Sequence, residues 1–223
     1  EVRRVIYTTN AIESVNASGS SIVGDNALGN YCAETIFDEE TKLVVQELKQ
    51  PRRDIDLMVM GAAAREVRSM VICPSLIYGQ GRGLNPNSVQ IPFLAANAQQ
   101  QGVVQIVGPG RNVWSNVHID DVVDLYLAAL DKASPGSFFF AANGETSFAE
   151  IGEAIARRLQ LPGVESLDPA IAAERWGVAR AHYSLGSNSR VRSTHARAKL
   201  GWKPRHASVV DWILNELPMQ ESI

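Results

Sequence analysis

Short apolar runs alternate along the chain with segments whose apolar residues recur at helical spacing, a pattern that predicts an α/β fold with parallel strands. Residues 67–73 (Val-Arg-Ser-Met-Val-Ile-Cys) end at Pro74 and read as a buried strand. Before it, Ile55, Val59, Ala62 and Ala63 share a helical face, which predicts a helix over 54–66. Residues 103–107 predict a strand closed by Gly108-Pro109-Gly110, and residues 116–119 predict another. Asp120 and Asp121 read as N-caps for a helix carrying Val122, Val123, Tyr126, Leu127 and Leu130. A strand over 137–142 follows. Ser147-Phe148-Ala149-Glu150 is a capping box that opens a helix to about Leu159. Asp168-Pro169 opens a short helix ending near Gly177, residues 192–200 a basic one stopped by Gly201, and residues 208–217 the last. There is no internal repeat.

Composition narrows the class. The 223 residues make one large domain or two small ones, and 45% hydrophobic with 20% charged residues suits a globular chain with a core. A formal net charge of −3 argues against bulk nucleic-acid binding. Two cysteines, Cys32 and Cys73, and four scattered histidines disfavour a disulfide scaffold or a zinc module. No apolar run approaches the ~18 residues of a membrane span, and the N-terminal stretch lacks a signal-peptide pattern. The expectation is a soluble cytoplasmic protein with no membrane or nucleic-acid partner.

Two segments carry candidate chemistry. A strand ending in Pro74-Ser75 and opening into Tyr78-Gly79-Gln80-Gly81-Arg82-Gly83 lets backbone approach a ligand closely, at the carboxyl end of a parallel sheet where ligands bind. Ser18-Gly19-Ser20-Ser21-Ile22-Val23-Gly24 offers a serine that can donate to a substrate oxygen and stabilise charge developing during hydride transfer.

From Ser18 onward, over about 200 residues, the chain resembles the extended short-chain dehydrogenase/reductases of the NAD-dependent epimerase/dehydratase group. The serine segment, Cys73-Pro74-Ser75-Leu76-Ile77-Tyr78-Gly79-Gln80-Gly81, Val117-His118-Ile119-Asp120-Asp121-Val122 and Leu200-Gly201-Trp202-Lys203-Pro204 carry the resemblance through their order and spacing. It implies a Rossmann-like sheet with a small C-terminal substrate-binding α/β lobe, NAD or NADP as cofactor, and a small organic substrate. It places Ser20, with Ser21 as the alternative, in the catalytic role. Pro74, Ser75 and Leu76 fall at the cofactor, and Tyr78, Asn85, Arg111 and Trp114 at the substrate. Nucleotide-sugar enzymes of the group usually carry an arginine where this chain has Trp114, and Trp114 with Arg111 nearby suits an apolar or aromatic substrate better. His118, Asp120 and Asp121 read as structural.

The chain also departs from the family pattern. No tyrosine occupies the neighbourhood of residues 46–48, where the Tyr-x-x-x-Lys acid/base pair falls; Tyr31 is the only tyrosine in the interval, and neither Lys42 nor Lys49 has a tyrosine four residues before it. No Gly-rich turn of pyrophosphate-binding spacing occurs. Residues 1–16 resemble instead a conserved segment of the mutator-type bacterial transposases, in which Glu13 would belong to an acidic triad, and Arg3 to Thr9 read as a substitute strand. The expected organisation is a transposase-like segment over 1–16, a remnant dinucleotide domain over 17–102 and an interleaved substrate lobe over 103–223. That is a truncated, catalytically impaired α/β member of the family, doubtful as a cofactor binder and able to dimerise through an exposed sheet edge. The alternatives are a binding pseudoenzyme and a DNA-transaction protein.

Overall fold

A computed structural model describes residues 13–84 and 86–218. In chain order these form β1 (Glu13–Ala17), α1 (Gln50–Gly61), β2 (Arg68–Pro74), β3 (Leu76–Tyr78), α2 (Gln90–Gln101), β4 (Val104–Val107), β5 (Val113–His118) and α3 (Ile119–Lys132). There follow β6 (Ser137–Ala141), β7 (Gly144–Ser147), α4 (Phe148–Leu159), β8 (Val164–Leu167), α5 (Pro169–Trp176), a π-helical turn (Ala179–Leu185), α6 (Thr194–Leu200) and α7 (Val209–Glu216). The expected strand over residues 3–9 lies outside the described residues.

Three parallel strands in the order β1-β2-β6 make the first sheet, with Ala17 opposite Ile72 and Pro74 opposite Ala141. Strand β2 is central because both of its faces are apolar. Met70 and Ile72 pack with Leu125, Ala129 and Trp202 on one side, while Cys73 packs with Ile22, Phe140 and Val191 on the other. Burying each such large side chain contributes roughly 1.5–3 kcal/mol. At Ser75 the chain leaves this sheet, and β3 joins β5 and β7 in a second one. Strands β4 and β8 form a parallel pair. Leu76, Tyr78 and Trp114 enter a larger core made by α2, α4 and α7. Strand β6 sits beside β2 although it follows β5 in sequence.

Several elements differ from expectation for identifiable reasons. Helix α1 begins four residues early, with Pro51 in its first turn, and buries Asp56 rather than Ile55, which stays exposed. Asp56 accepts hydrogen bonds from Asn16 Nδ2 at 2.8 Å and Ser18 Oγ at 2.7 Å, so a carboxylate, not an apolar stripe, docks this helix. Strand β5 starts at Val113 and ends at His118. The N-cap of α3 is His118, whose Nδ1 accepts from the Asp120 amide, and this corrects the assignment of Asp120 and Asp121 as caps. The helix buries Val122, Leu125 and Ala129, leaving Val123 and Leu127 exposed. The capping box at Ser147 and Glu150 forms as read, with Glu150 Oε2 accepting from the Ser147 amide while the Glu150 amide donates to Ser147 Oγ. Strands β1, β3, β7 and β8, the helix α2 and the π-helical turn were not anticipated.

Candidate functional site

The serine turn starts directly at a strand end. The Ser18 amide donates to Ile72 O at 2.8 Å, so the segment leaving β1 runs beside the carboxyl end of β2. Ser20 to Val23 then form one 3-10 turn. Ser20 is buried, and its Oγ lies 2.7 Å from Ser189 Oγ; Ser189 Oγ in turn donates to Ser20 O at 2.8 Å. Each hydroxyl has one proton, so Ser189 spends its own on the Ser20 carbonyl and Ser20 spends its own on Ser189. Ser21 is half-buried, and its hydroxyl has no partner among the described residues.

Lysine enters this turn from an unexpected direction. Lys49, immediately before α1, donates from Nζ to Gly24 O at 2.8 Å and lies over the Tyr183 ring, 5.5 Å from its centroid. Burial lowers its pKa, while Asp25 opposes the shift. Asp25 binds the Asn188 amide and side chain at 2.8 and 2.9 Å, tying the loop after the serine turn to a segment 163 residues away. Lys49, Asp25, Asp56, Asn188 and Ser189 thus hold the serine turn in place. No local pattern marks them, because each acts through a partner distant in sequence.

The second element is the turn after β2. Pro74 closes the strand, and the Ser75 amide and Oγ both donate to Ala141 O at 3.0 Å. Leu76 points into the core. Gly79 has φ +95°, and a Cβ there would sit 2.5 Å from His118 Nε2, so the turn needs a residue without a side chain. Ser75, Ile77, Gly79, Ser88, Gln90 and Ile119 are among the residues lining a cavity of about 310 Å³, and Ser88 Oγ is buried without a partner. Mostly apolar walls with a few convergent polar groups suit a small organic ligand.

None of the described residues expected at the substrate, Tyr78, Arg111 and Trp114, lines this cavity. Tyr78 is a core residue, its hydroxyl buried without a partner and its ring edge-on to His118 at 5.2 Å. Burial first, then Asp121, Glu216 and Asp211, push the Tyr78 phenol well above its usual range, so it stays neutral. Trp114 is 5% exposed and donates from Nε1 to Ser187 O at 2.8 Å, which accounts for it as packing. Arg111 is exposed, and its amide donates to Gly29 O. Asn85 lies outside the described residues. Glu13, the residue of transposase resemblance, forms an ion pair with Arg68 at the start of the sheet, with no second carboxylate in that pair.

His118 stacks on His206 with ring centroids 3.8 Å apart, and His206 Nδ1 lies 3.1 Å from the fully buried carboxylate of Asp121. His118, Asp120 and His206 place ligand atoms within 4.8 Å of one another. Near-parallel rings at 21° hold their lone pairs side by side rather than converging, and His118 Nδ1 already accepts the Asp120 amide. The cluster is a packed joint between α3 and the 201–208 loop, where Asp121 also accepts the Arg205 and His206 amides.

A parallel sheet with a serine turn at the end of β1 and a Pro-Ser turn opening into a cavity at the end of β2 is a Rossmann-like arrangement. A model of the NAD dependent epimerase/dehydratase family matches residues 55–139 of the chain. An uncharacterized protein of Schizosaccharomyces pombe is 29% identical over 162 residues, covering 72% of this chain and 52% of that protein. A UDP-glucose 4-epimerase of Mycolicibacterium smegmatis is 29% identical over 137 residues, covering 61% of this chain and 40% of that enzyme. In structure the chain is similar to a dTDP-glucose 4,6-dehydratase of Streptomyces venezuelae solved with NAD bound, with a TM-score of 0.69 at 17% identity over 91% of this chain and 57% of that one. The chain spans about half the length of the curated relatives it matches, between 40% and 52%.

NAD(P) is the cofactor of the family. The described residues fit only part of it. The Pro74-Ser75 strand end can face a nicotinamide, but among the described residues no strand leads through a Gly-rich turn into a helix N-terminus that could take the pyrophosphate. Among the described residues no helix is long and apolar enough to cross a membrane.

Proposed function

We propose that this chain supplies the serine turn and the substrate side of an oxidoreductase or epimerase site that takes a small organic molecule into the 310 Å³ cavity beside Ser75 and Gly79. The observation that carries this reading is the direct opening of β2, through Pro74-Ser75, into that cavity. Nicotinamide chemistry in this family moves a hydride; the part assigned to this chain is to bind the substrate and exclude water through apolar walls such as Ile77 and Ile119, while the serine turn, on the neighbouring strand end and outside the cavity lining, would offer a hydroxyl to a carbonyl oxygen. Ser21 carries an unengaged hydroxyl, whereas Ser20 must release Ser189 before it can donate. That engaged proton, together with the lack of a Tyr-x-x-x-Lys pair before α1, also supports a second reading, a binding protein that holds such a molecule without turnover. On either reading the protein works in the cytoplasm on a small molecule.

Ligand-observed NMR with a panel of small aldehydes, ketones and sugars tests the cavity. Val89 lines it and is 72% exposed, so Val89→Trp should fill the space without disturbing the fold. Binding that disappears in this variant at unchanged melting temperature supports the reading, and binding that survives places the ligand elsewhere. Turnover of a bound ligand, followed by NADH fluorescence for a reduction and by NMR of the product for an epimerisation, separates the two readings.

A further inference from the structure

We infer that a second cleft, distinct from the cavity beside Ser75, binds a small organic anion through Arg192 and Arg197. The cleft, about 700 Å³, lies where β6 ends, between residues 142–145 and residues 191–198. None of its lining residues lines the smaller cavity. Its position at the carboxyl end of a parallel strand is where open α/β sheets receive ligands.

The charges in its wall do not cancel. Glu145 is the one carboxylate among the lining residues, and Arg190 already neutralises it through two hydrogen bonds of 3.0 and 2.6 Å. Arg197 is fixed in place, donating to Asn143 Oδ1 at 2.7 Å with its guanidinium 5.4 Å from the Trp202 ring centroid. A fork held this way loses little freedom when it accepts an oxyanion. Arg192 is exposed, and among the described residues its guanidinium has no hydrogen-bond or ion-pair partner. The nearby acids are occupied. Glu39 accepts the amides of Phe140, Thr194 and His195, and Glu40 lies 3.6 Å from His195.

Two uncompensated guanidinium groups over a cleft of this size match a carboxylate- or phosphate-bearing molecule larger than an inorganic ion. The inference does not draw on the redox reading of the other cavity. Calorimetry of the whole chain at low ionic strength, with citrate and adenosine monophosphate as probes, distinguishes a carboxylate from a phosphate ligand, and Trp202 beside Arg197 gives a fluorescence readout. Saturable binding of at least one probe is expected. Arg192→Ala should weaken it roughly tenfold, about 1.4 kcal/mol. Arg197→Gln should weaken it as well, Arg192→Lys should retain most of it, and Arg65→Ala, on a distant exposed turn, should leave it unchanged. Absence of saturable binding by both probes, or an equal response of the Arg192, Arg197 and Arg65 variants, overturns the inference.

Discussion

Ser20 and Ser189, 169 residues apart, share a 2.7 Å hydrogen bond between their side-chain oxygens, and Ser189 returns its proton to the Ser20 carbonyl. The serine turn is thereby locked to the segment that pairs with β5, where the Ser115 amide donates to Ser189 O. Ser20→Ala removes one buried hydrogen bond and leaves Ser189 able to keep its bond to the carbonyl. The expected loss is about 1 kcal/mol, read from urea unfolding. Ser189→Ala removes both bonds and should cost more. Equal losses would show that the reciprocal arrangement contributes nothing.

Asp56 is the next link in that turn. It is fully buried and accepts from Asn16 and Ser18, so Asp56→Ala leaves one buried and one half-buried donor without partners. A loss of about 2–5 kcal/mol is expected, the range for stripping a buried charged partner. Protease cleavage in the 18–30 segment should rise with it. A variant as stable as the parent, with that segment still protected, would show that α1 docks without the carboxylate.

How far the fold could be read in advance depends on how local its causes are. The capping box at Ser147, the Asp168-Pro169 helix start and the Gly201 stop with φ +68° were legible because each signal lies within four residues of its effect. Strand β2 was legible because both its faces are buried and its residues are continuously apolar. Helix α2 escaped although Ile91, Leu94, Ala95 and Ala98 repeat at helical spacing, because no capping side chain marks its start. The strand that leads into the serine turn, Glu13–Ala17, was not legible, because it is a run poor in large apolar residues that long-range pairing with β2 stabilises. Burial of Asp56 and exposure of Ile55 run against the apolar pattern of α1, and only partners 38 and 40 residues away explain them.

Exposed apolar side chains gather along and just before α1. Leu48, Ile55, Leu57 and Met58 are each at least 44% exposed. β1 on that side of the sheet pairs only with β2 among the described residues. Apolar patches and free edges of this kind recruit other chains. The chain is therefore expected to self-associate, and Ile55→Lys with Met58→Glu should shift size-exclusion elution toward the monomer. A parent protein that elutes as a monomer at every concentration would refute this.

His118 makes the folded state sensitive to pH. Burial is the main cause that lowers its pKa, His206 adds to the shift, and Asp120, Asp121 and Glu216 oppose it. In the unfolded chain a histidine titrates near about 6.5. Between the depressed folded value and about 6.5, the unfolded state therefore binds a proton that the folded state does not. Stability accordingly rises with pH through that window, is fully present above about 6.5, and is lost as the pH falls toward the folded value. His118→Asn isolates the effect, because the Asn side-chain oxygen can still accept the Asp120 amide at the N-cap while carrying no titrating group. Urea unfolding measured from about pH 7.5 down to about pH 5 should give the parent a steeper loss than the variant, whatever offset the lost stacking on His206 adds at high pH. Parallel curves for the two proteins would mean that the imidazole keeps its proton equilibrium unchanged on folding.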